Sequence, residues 1–163
     1  MPRIKLQEPP GYEFRYEVTF QFRDINQAMH LGADAIISMT NGAMMNVFRC
    51  LGITDAKLGD NKTSMIMVDL GANYKSEGHM FDVLQIDSHI EVTNRNSFRI
   101  FHRVARAGEI LALVDTGFLA FDYAIRKSVP IPREFLQVLD EWRMKNCNPI
   151  VEKGAARENG NWQ

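Results

Sequence analysis

The longest helix-period stripe in this chain is followed by apolar runs that mostly alternate at period two. Within the stretch Phe22 to Leu51, Ile36, Ile37, Thr40, Met44, Val47, Phe48 and Leu51 recur at three- and four-residue steps. That spacing puts them on one face of an α-helix. It predicts a helix from about Gly32 to Leu51. Asp34 falls in its first turn, where a negative charge suits the helix dipole. Gly52 follows as a left-handed C-terminal cap. Gly42, inside the helix, costs roughly 1 kcal/mol relative to alanine and leaves room for another backbone to approach. Ahead of the helix, Asp24, Asn26 and His30 fall in one short polar loop. A helix N-terminus carries roughly half a positive charge and several unpaired N–H donors. It can hold an anion, or a carbonyl oxygen becoming one. This end is the candidate site.

The apolar runs outside this helix read as strands, apart from the last. Tyr12–Phe22 sets Phe14, Tyr16, Val18, Phe20 and Phe22 against Glu13, Arg15, Glu17, Thr19 and Gln21, a half-buried strand. After a polar loop over 53–63, Met65–Tyr74 puts Ile66, Val68, Leu70, Ala72 and Tyr74 on one side. Val83–Thr93 alternates most cleanly. Leu84, Ile86, Ser88, Ile90 and Val92 face one way, and Gln85, Asp87, His89, Glu91 and Thr93 the other. One face is then buried and one wet. Phe98–Arg106 and Ile110–Asp122 follow across short turns, and the second is apolar enough to be covered on both faces. Pro130 and Pro132 end the sheet. Arg133–Lys145 resumes a helical period through Phe135, Leu136, Leu139 and Trp142, with Pro132 suited to the helix start.

The expected order is strand, long helix, four strands, short helix. Strands joined by tight turns form an antiparallel meander, and the long helix must bury its stripe against it. The fold class is α+β, one antiparallel sheet wrapped around one long central helix. A single domain is expected over 1–145, with a polar lead-in over 1–12 and a flexible, aperiodic tail over 146–163. A sheet covered on one face leaves the other open. A homodimer or homotetramer, extending the sheet or covering the helix ends, is the expected remedy.

Composition mainly excludes. A formal net charge of -1 gives no field for nucleic acid. No run approaches the roughly 20 apolar residues that span a bilayer, and MPRIKLQEPPGYEF lacks the apolar core of a secretory signal. Cys50 and Cys147 have no metal-ligand spacing and read as free thiols in a reducing, cytoplasmic setting. His79, His89 and His102 share no metal-like spacing and read as surface or structural groups, so no metal is expected.

The run D-I-N, three residues, H-L-G, one residue, D-A, from Asp24 to Ala35, resembles the thioesterase motif of the hotdog fold, in the 4-hydroxybenzoyl-CoA thioesterase-like superfamily. Three further stretches are similar to that family in order and spacing. They are Leu70–Val83 with Tyr74-Lys75-Ser76-Glu77, Asn96-Ser97-Phe98-Arg99, and the closing V-P-I-P at Val129–Pro132. The resemblance covers roughly residues 12–140. It implies an acyl-CoA thioesterase in which water attacks the thioester carbonyl at the N-terminus of the central helix. Carried over, Leu31 and Gly32 supply backbone oxyanion donors, and Asp24, Asn26 and His30 surround the reacting carbonyl. Asp34, Tyr74, Lys75, Ser76, Arg95 and Ser97 complete the candidate substrate-binding set. Arg95, Arg99, Arg103 and Arg106 with Lys75 offer either a basic patch for CoA phosphates or a solvated strand face. Met29, Met39, Met44 and Met45 fill the core or adapt it to a flexible acyl chain. No cofactor is implied beyond the coenzyme A of the substrate.

The chain departs from the family where a working carboxylate usually stands. The third residue of D-x-D is Asn26, and the helix position that carries Glu in another branch reads Thr40-Asn41-Gly42. An amide orients water but takes no proton at neutral pH. The base then falls to Asp24, Asp34 or Glu77, with Asp24 the choice, and His30 is a further candidate. Two readings compete with hydrolysis. One is a non-catalytic hotdog dimer binding an acyl or CoA-like ligand or a protein partner. The other is a hydratase, disfavoured because Gly78-His79-Met80-Phe81 lacks the proline that follows the catalytic histidine in those relatives.

Overall fold

A computed structural model describes residues 5–146. Its strands are β1 (Phe14–Thr19), β2 (Ser64–Tyr74), β3 (Val83–Val92), β4 (Ser97–Arg106), β5 (Glu109–Asp122) and β6 (Lys127–Ser128). Its α-helices are α1 (Ala33–Leu51) and α2 (Arg133–Lys145), and a single 3-10 turn spans Phe22–Asp24. The α+β class, the long helix and the short second helix are as expected. Residues 147–163, most of the expected tail and with it Cys147, lie outside the described residues.

The sheet order is β1-β3-β4-β5-β2, wholly antiparallel, with β6 beside β5. The expected four-strand meander is therefore only partly formed. β3, β4 and β5 follow one another through tight turns. β2 skips its successor and pairs with the far side of β5. The crossover from Tyr74 to Val83 is too long for a hairpin, so it carries the chain past one end of α1 instead.

α1 lies on the inner face. Ile36, Met39, Ala43, Val47, Phe48 and Leu51 are buried against Leu84, Ile86, Ile90, Phe98, Ile100, Val104, Val114 and Phe118. Each large apolar side chain so buried contributes about 1.5–3 kcal/mol. Gly52 ends the helix at φ 70, the left-handed cap that glycine adopts without strain. Gly42 faces the ring of Tyr16 at ordinary contact distance, so an aromatic side chain, not a second backbone, occupies its open side. Between the two apolar clusters sit Ser88 and His102, joined at 2.8 Å. Burial pushes the imidazole down to about 3. It stays neutral and structural, one of the two roles, surface or structural, that its sequence context left open.

Two faces differ from the sequence pattern. On β2 a bulge between Met67 and Asp69 shifts the register. Ile66 consequently points away from Leu70, Ala72 and Tyr74 rather than with them. On β3 the expected wet face is partly covered. Residues 5–13 cross it, and Tyr12 joins Phe101 and Leu113 in a small cluster there. Asp87 is buried beneath this strap.

Glu13 clips the strap, β3 and α2 together. Its carboxylate lies 2.9 Å from Nδ1 of His89 and accepts from Arg143 Nε at 2.9 Å. Burial alone would raise its pKa, but the His89 and Arg143 partners outweigh burial and hold it below the ordinary carboxylate range. A depressed folded-state pKa adds stability above the unfolded value, and that stability is lost as pH falls through the folded value. We therefore expect the urea midpoint of Glu13→Gln to fall less steeply than that of the wild type below about pH 4.5. Parallel curves from pH 6 to 3 would refute this.

Candidate active site

The loop after β1 turns back on itself to present the N-terminus of α1. The amide of Gly32 donates to the carbonyl of Asp24 at 2.9 Å, and that of Asn26 to the carbonyl of His30 at 2.9 Å. Asn26 Oδ1 accepts from Ala28 N–H at 2.9 Å and His30 N–H at 3.3 Å. This amide is spent on an Asx turn, which is what the residue type alone would do. Met29 takes a left-handed conformation, φ 65, to close the turn.

The crossover from β2 to β3 packs against this loop. Leu31 N–H donates to the carbonyl of Gly78 at 3.0 Å. A Cβ on Gly78 would stand 3.0–3.2 Å from side-chain atoms of Leu111 and Leu31, so any larger residue would have to push those side chains back by a few tenths of an ångström. The crossover thereby delivers Glu77, whose Oε1 lies 3.6 Å from Nδ1 of His30. His79 sits edge-on to His30 with ring centroids 6.5 Å apart. Tyr74, at the end of β2, donates its hydroxyl to the Ala33 carbonyl at 3.3 Å. Burial, and then the nearby Asp34 charge, hold that phenol above its ordinary value, so it stays protonated.

The amides assigned to the oxyanion need correction. Those of Leu31 and Gly32 are already engaged by Gly78 and Asp24. The first bond into the helix runs from Ile36 N–H to the Gly32 carbonyl. The N–H groups of Ala33, Asp34 and Ala35 are left without an acceptor among the described residues. A helix end of this kind offers both donors and positive potential.

Asp34 lies in the first turn of that end, and Asp24 and Glu77 belong to the two segments bonded to the residues just before it. Asp24 accepts from Gln21 N–H through Oδ2 at 2.8 Å, and its Oδ1 stands 3.9 Å from Arg23 Nε. It opens into a groove of about 240 Å³ between β1 and α1, lined also by Tyr16, Val18, Ser38, Met39 and Gly42. Asp34 folds back over Gly32 at the helix start. Glu77 pairs with His30 on the side facing the crossover. Asp24, Asn26 and His30 thus share one loop, but their side chains have different partners: Asp24 holds Gln21 N–H and lines the groove, while His30 meets Glu77 and His79. Tyr16, Ser38 and Gly42 were not read as site residues. Ser38 lies one turn beyond Asp34, and that spacing on the polar face was the available signal.

The remaining candidates separate. Ser76 Oγ donates to the carbonyl of Ile110 at 3.0 Å and anchors the crossover. Lys75 is exposed beside it. Arg95 and Ser97 belong to the β3–β4 turn, at the far end of the sheet. β4 has 10 residues and spans about 30 Å at some 3.3 Å per residue. Neither can reach the α1 N-terminus of its own chain. The basic patch does not form either. Arg99 pairs with Asp69 and Asp115, Arg103 with Asp87 and Glu8, and Arg106 with Asp82 and Glu109.

The family model described as the thioesterase-like superfamily matches residues 20–139. The chain belongs to the thioesterase-like superfamily. Its fold is the hotdog fold, shared with solved structures of low sequence identity. A 1,4-dihydroxy-2-naphthoyl-CoA thioesterase from Synechocystis superposes with a TM-score of 0.71 at 16% identity, over 78% of this chain and 96% of that one. A gentisyl-coenzyme A thioesterase gives 0.67 at 18% identity, over 76% and 98%. A DHNA-CoA thioesterase from Staphylococcus aureus gives 0.68 at 15%, over 81% and 89%. No curated protein matches the chain in sequence. Among the described residues of this thioesterase-like chain, no helix is long and apolar enough to cross a membrane, and no cluster has the makings of a metal site.

Proposed function

We propose that the chain hydrolyses an acyl-CoA thioester at the N-terminus of α1. One observation carries this reading. The first-turn N–H groups of Ala33, Asp34 and Ala35 are free of acceptors among the described residues, and the residues just before them, Leu31 and Gly32, are bonded to the crossover that carries Glu77 and to the loop that carries Asp24 and His30. A thioester carbonyl docked there develops its negative charge against preorganised donors, each worth about 3 kcal/mol in the transition state. Asp24 takes the proton of the attacking water through its Oδ1. The groove along Tyr16, Val18, Met39 and Gly42 receives the apolar part of the acyl group. Lys75 meets the CoA phosphates, and the coenzyme A of the substrate is the one cofactor involved. Two cysteines without metal-ligand spacing suit a cytoplasmic setting.

The decisive measurement is free thiol release from a panel of short-chain, long-chain and aromatic acyl-CoAs. The panel should include 1,4-dihydroxy-2-naphthoyl-CoA and gentisyl-CoA, the substrates named for similar structures. No turnover on any of them would sink the hydrolase reading. Asn26 favours a second reading, a hotdog protein that binds an acyl-CoA without cleaving it. In that case acyl-CoA raises the melting temperature and is recovered intact.

A homodimer belongs to the same proposal. β2 pairs with β5 on one side only among the described residues. It exposes Met67, Val68, Leu70 and Tyr74 along its length. A second copy pairing along this edge would cover them. It would also bring Arg95 and Ser97 into play, since those residues can serve only another copy's site. We expect sedimentation at twice the 18.7 kDa chain mass and dissociation by Leu70→Lys. A wild-type monomer at micromolar concentration would refute the dimer.

A further inference from the structure

We propose that His30 protonates the sulfur of the departing thiol and that Glu77 positions its ring. This rests on the hydrolase reading above and supplies the leaving-group half of it. The pair is assembled from two connections far apart in sequence, the loop before α1 and the crossover after β2. Their approach is fixed by the Leu31–Gly78 backbone bond and by close packing of Gly78 against Leu31 and Leu111. The contact between Glu77 and His30 therefore follows from the fold around it. His30 Nδ1 faces Glu77 Oε1 at 3.6 Å, an ion-pair distance. Contacts of this kind tighten into hydrogen bonds when substrate arrives. Both side chains reach solvent, at 37% and 62% exposure, so a thiol arm can come within reach of Nε2. Behind them, Asp82 accepts from His79 N–H at 2.8 Å and from Arg106, which also holds Glu109. That set secures the crossover. Asp24 opens instead into the groove between β1 and α1. The two proton-handling groups thus have separate surroundings, Asp24 in the β1–α1 groove and His30 beside the crossover.

The step balances without a further reactant. Water loses a proton to Asp24 as its oxygen bonds to the acyl carbon. The carbonyl electron pair moves onto the oxygen held by the α1 amides. Collapse restores the C=O bond and breaks the C–S bond, whose electron pair leaves on sulfur. The proton on His30 Nε2 passes to that sulfur, giving a carboxylic acid and a free thiol. The proton held by Asp24 returns to His30 through solvent. Glu77 accepts from Nδ1–H, so the ring acts as the imidazolium, gives up its Nε2 proton and is left as the Nδ1–H tautomer; Glu77 touches neither substrate nor product.

The test varies the leaving group. One acyl group is offered as its CoA ester and as its thiophenol ester, whose aryl thiolate departs with little need of a proton. We expect His30→Gln to lower kcat on the CoA ester about 10²-fold. Glu77→Gln should lower it about tenfold, with KM nearly unchanged. Losses on the aryl ester should be at least several-fold smaller, and Glu77→Asp should recover part of the CoA-ester rate. Equal losses on both esters, or a change confined to KM, would overturn the proposal while leaving the hydrolase reading standing. A wild type that cleaves neither ester overturns both.

Discussion

Replacing Asp87 with alanine is expected to destabilise the fold by about 3–5 kcal/mol, among the largest effects of any single surface-patterned position in the chain. Asp87 lies in the middle of β3, and 1% of its surface is exposed. Its carboxylate accepts from Arg15 Nε at 2.7 Å and Nη2 at 3.2 Å, and from Arg103 Nη2 at 2.7 Å. Arg103 is itself buried, and its guanidinium lies over the Tyr12 ring at 4.7 Å. Removing Asp87 strands that guanidinium without its main counter-ion in a place water scarcely reaches. Arg15 is a third exposed and can hydrate. The penalty is therefore the uncompensated burial of one charge, not the sum of two lost bonds. Urea unfolding should show a lower midpoint at an unchanged slope. Asp87→Leu combined with Arg103→Met, which removes both charges, should recover most of the loss. A double variant as unstable as the single one would show that the charges were not the cause.

The second large effect is catalytic. Asp24→Asn is expected to lower kcat by at least about 10²-fold on whichever acyl-CoA the wild type cleaves. The substitution is chosen for what it leaves in place. The amide oxygen can still accept from Gln21 N–H, which Asp24 holds at 2.8 Å, so the loop should keep its shape and the melting temperature should barely move. What disappears is the capacity to take a proton from water. A normal rate in Asp24→Asn would hand the base to Asp34 or Glu77, the two other carboxylates beside the α1 N-terminus. Loss of rate together with a large drop in melting temperature would mean that the carboxylate matters as a loop anchor.

Much of the scaffold was legible along the chain. The three- and four-residue recurrence from Ile36 to Leu51 marked α1 and its buried face, and Gly52 marked its end. The alternation through Leu84, Ile86, Ser88 and Ile90 marked the inner face of β3. Pro132 ahead of Phe135, Leu136 and Leu139 marked α2 to the residue. The site was legible only in outline. Asn26 advertised a polar turn, and the structure spends it on one. Leu31 and Gly32 looked like free donors because nothing local shows that Gly78 and Asp24 already occupy their amides. The alternating outward residues of β3 looked wet because the strap that buries Asp87 is written some 75 residues earlier.

The sequence by itself determined the elements, because periodicity and caps are local properties set by φ/ψ preference and by which side chains avoid water. It also determined that a polar loop precedes a buried helix. Only the tertiary structure decided which groups meet there. The β2–β3 crossover brings Glu77, Gly78 and His79 against His30 and Leu31, and the β2 bulge turns Ile66 away from Leu70. The pairing of β3 with β4 carries Arg95 and Ser97 to the far end of the sheet. These outcomes depend on strand order and on backbone bonds between residues tens of positions apart. Whether an amide is free or a carboxylate has a partner is settled by such long-range contacts, and no local pattern encodes them.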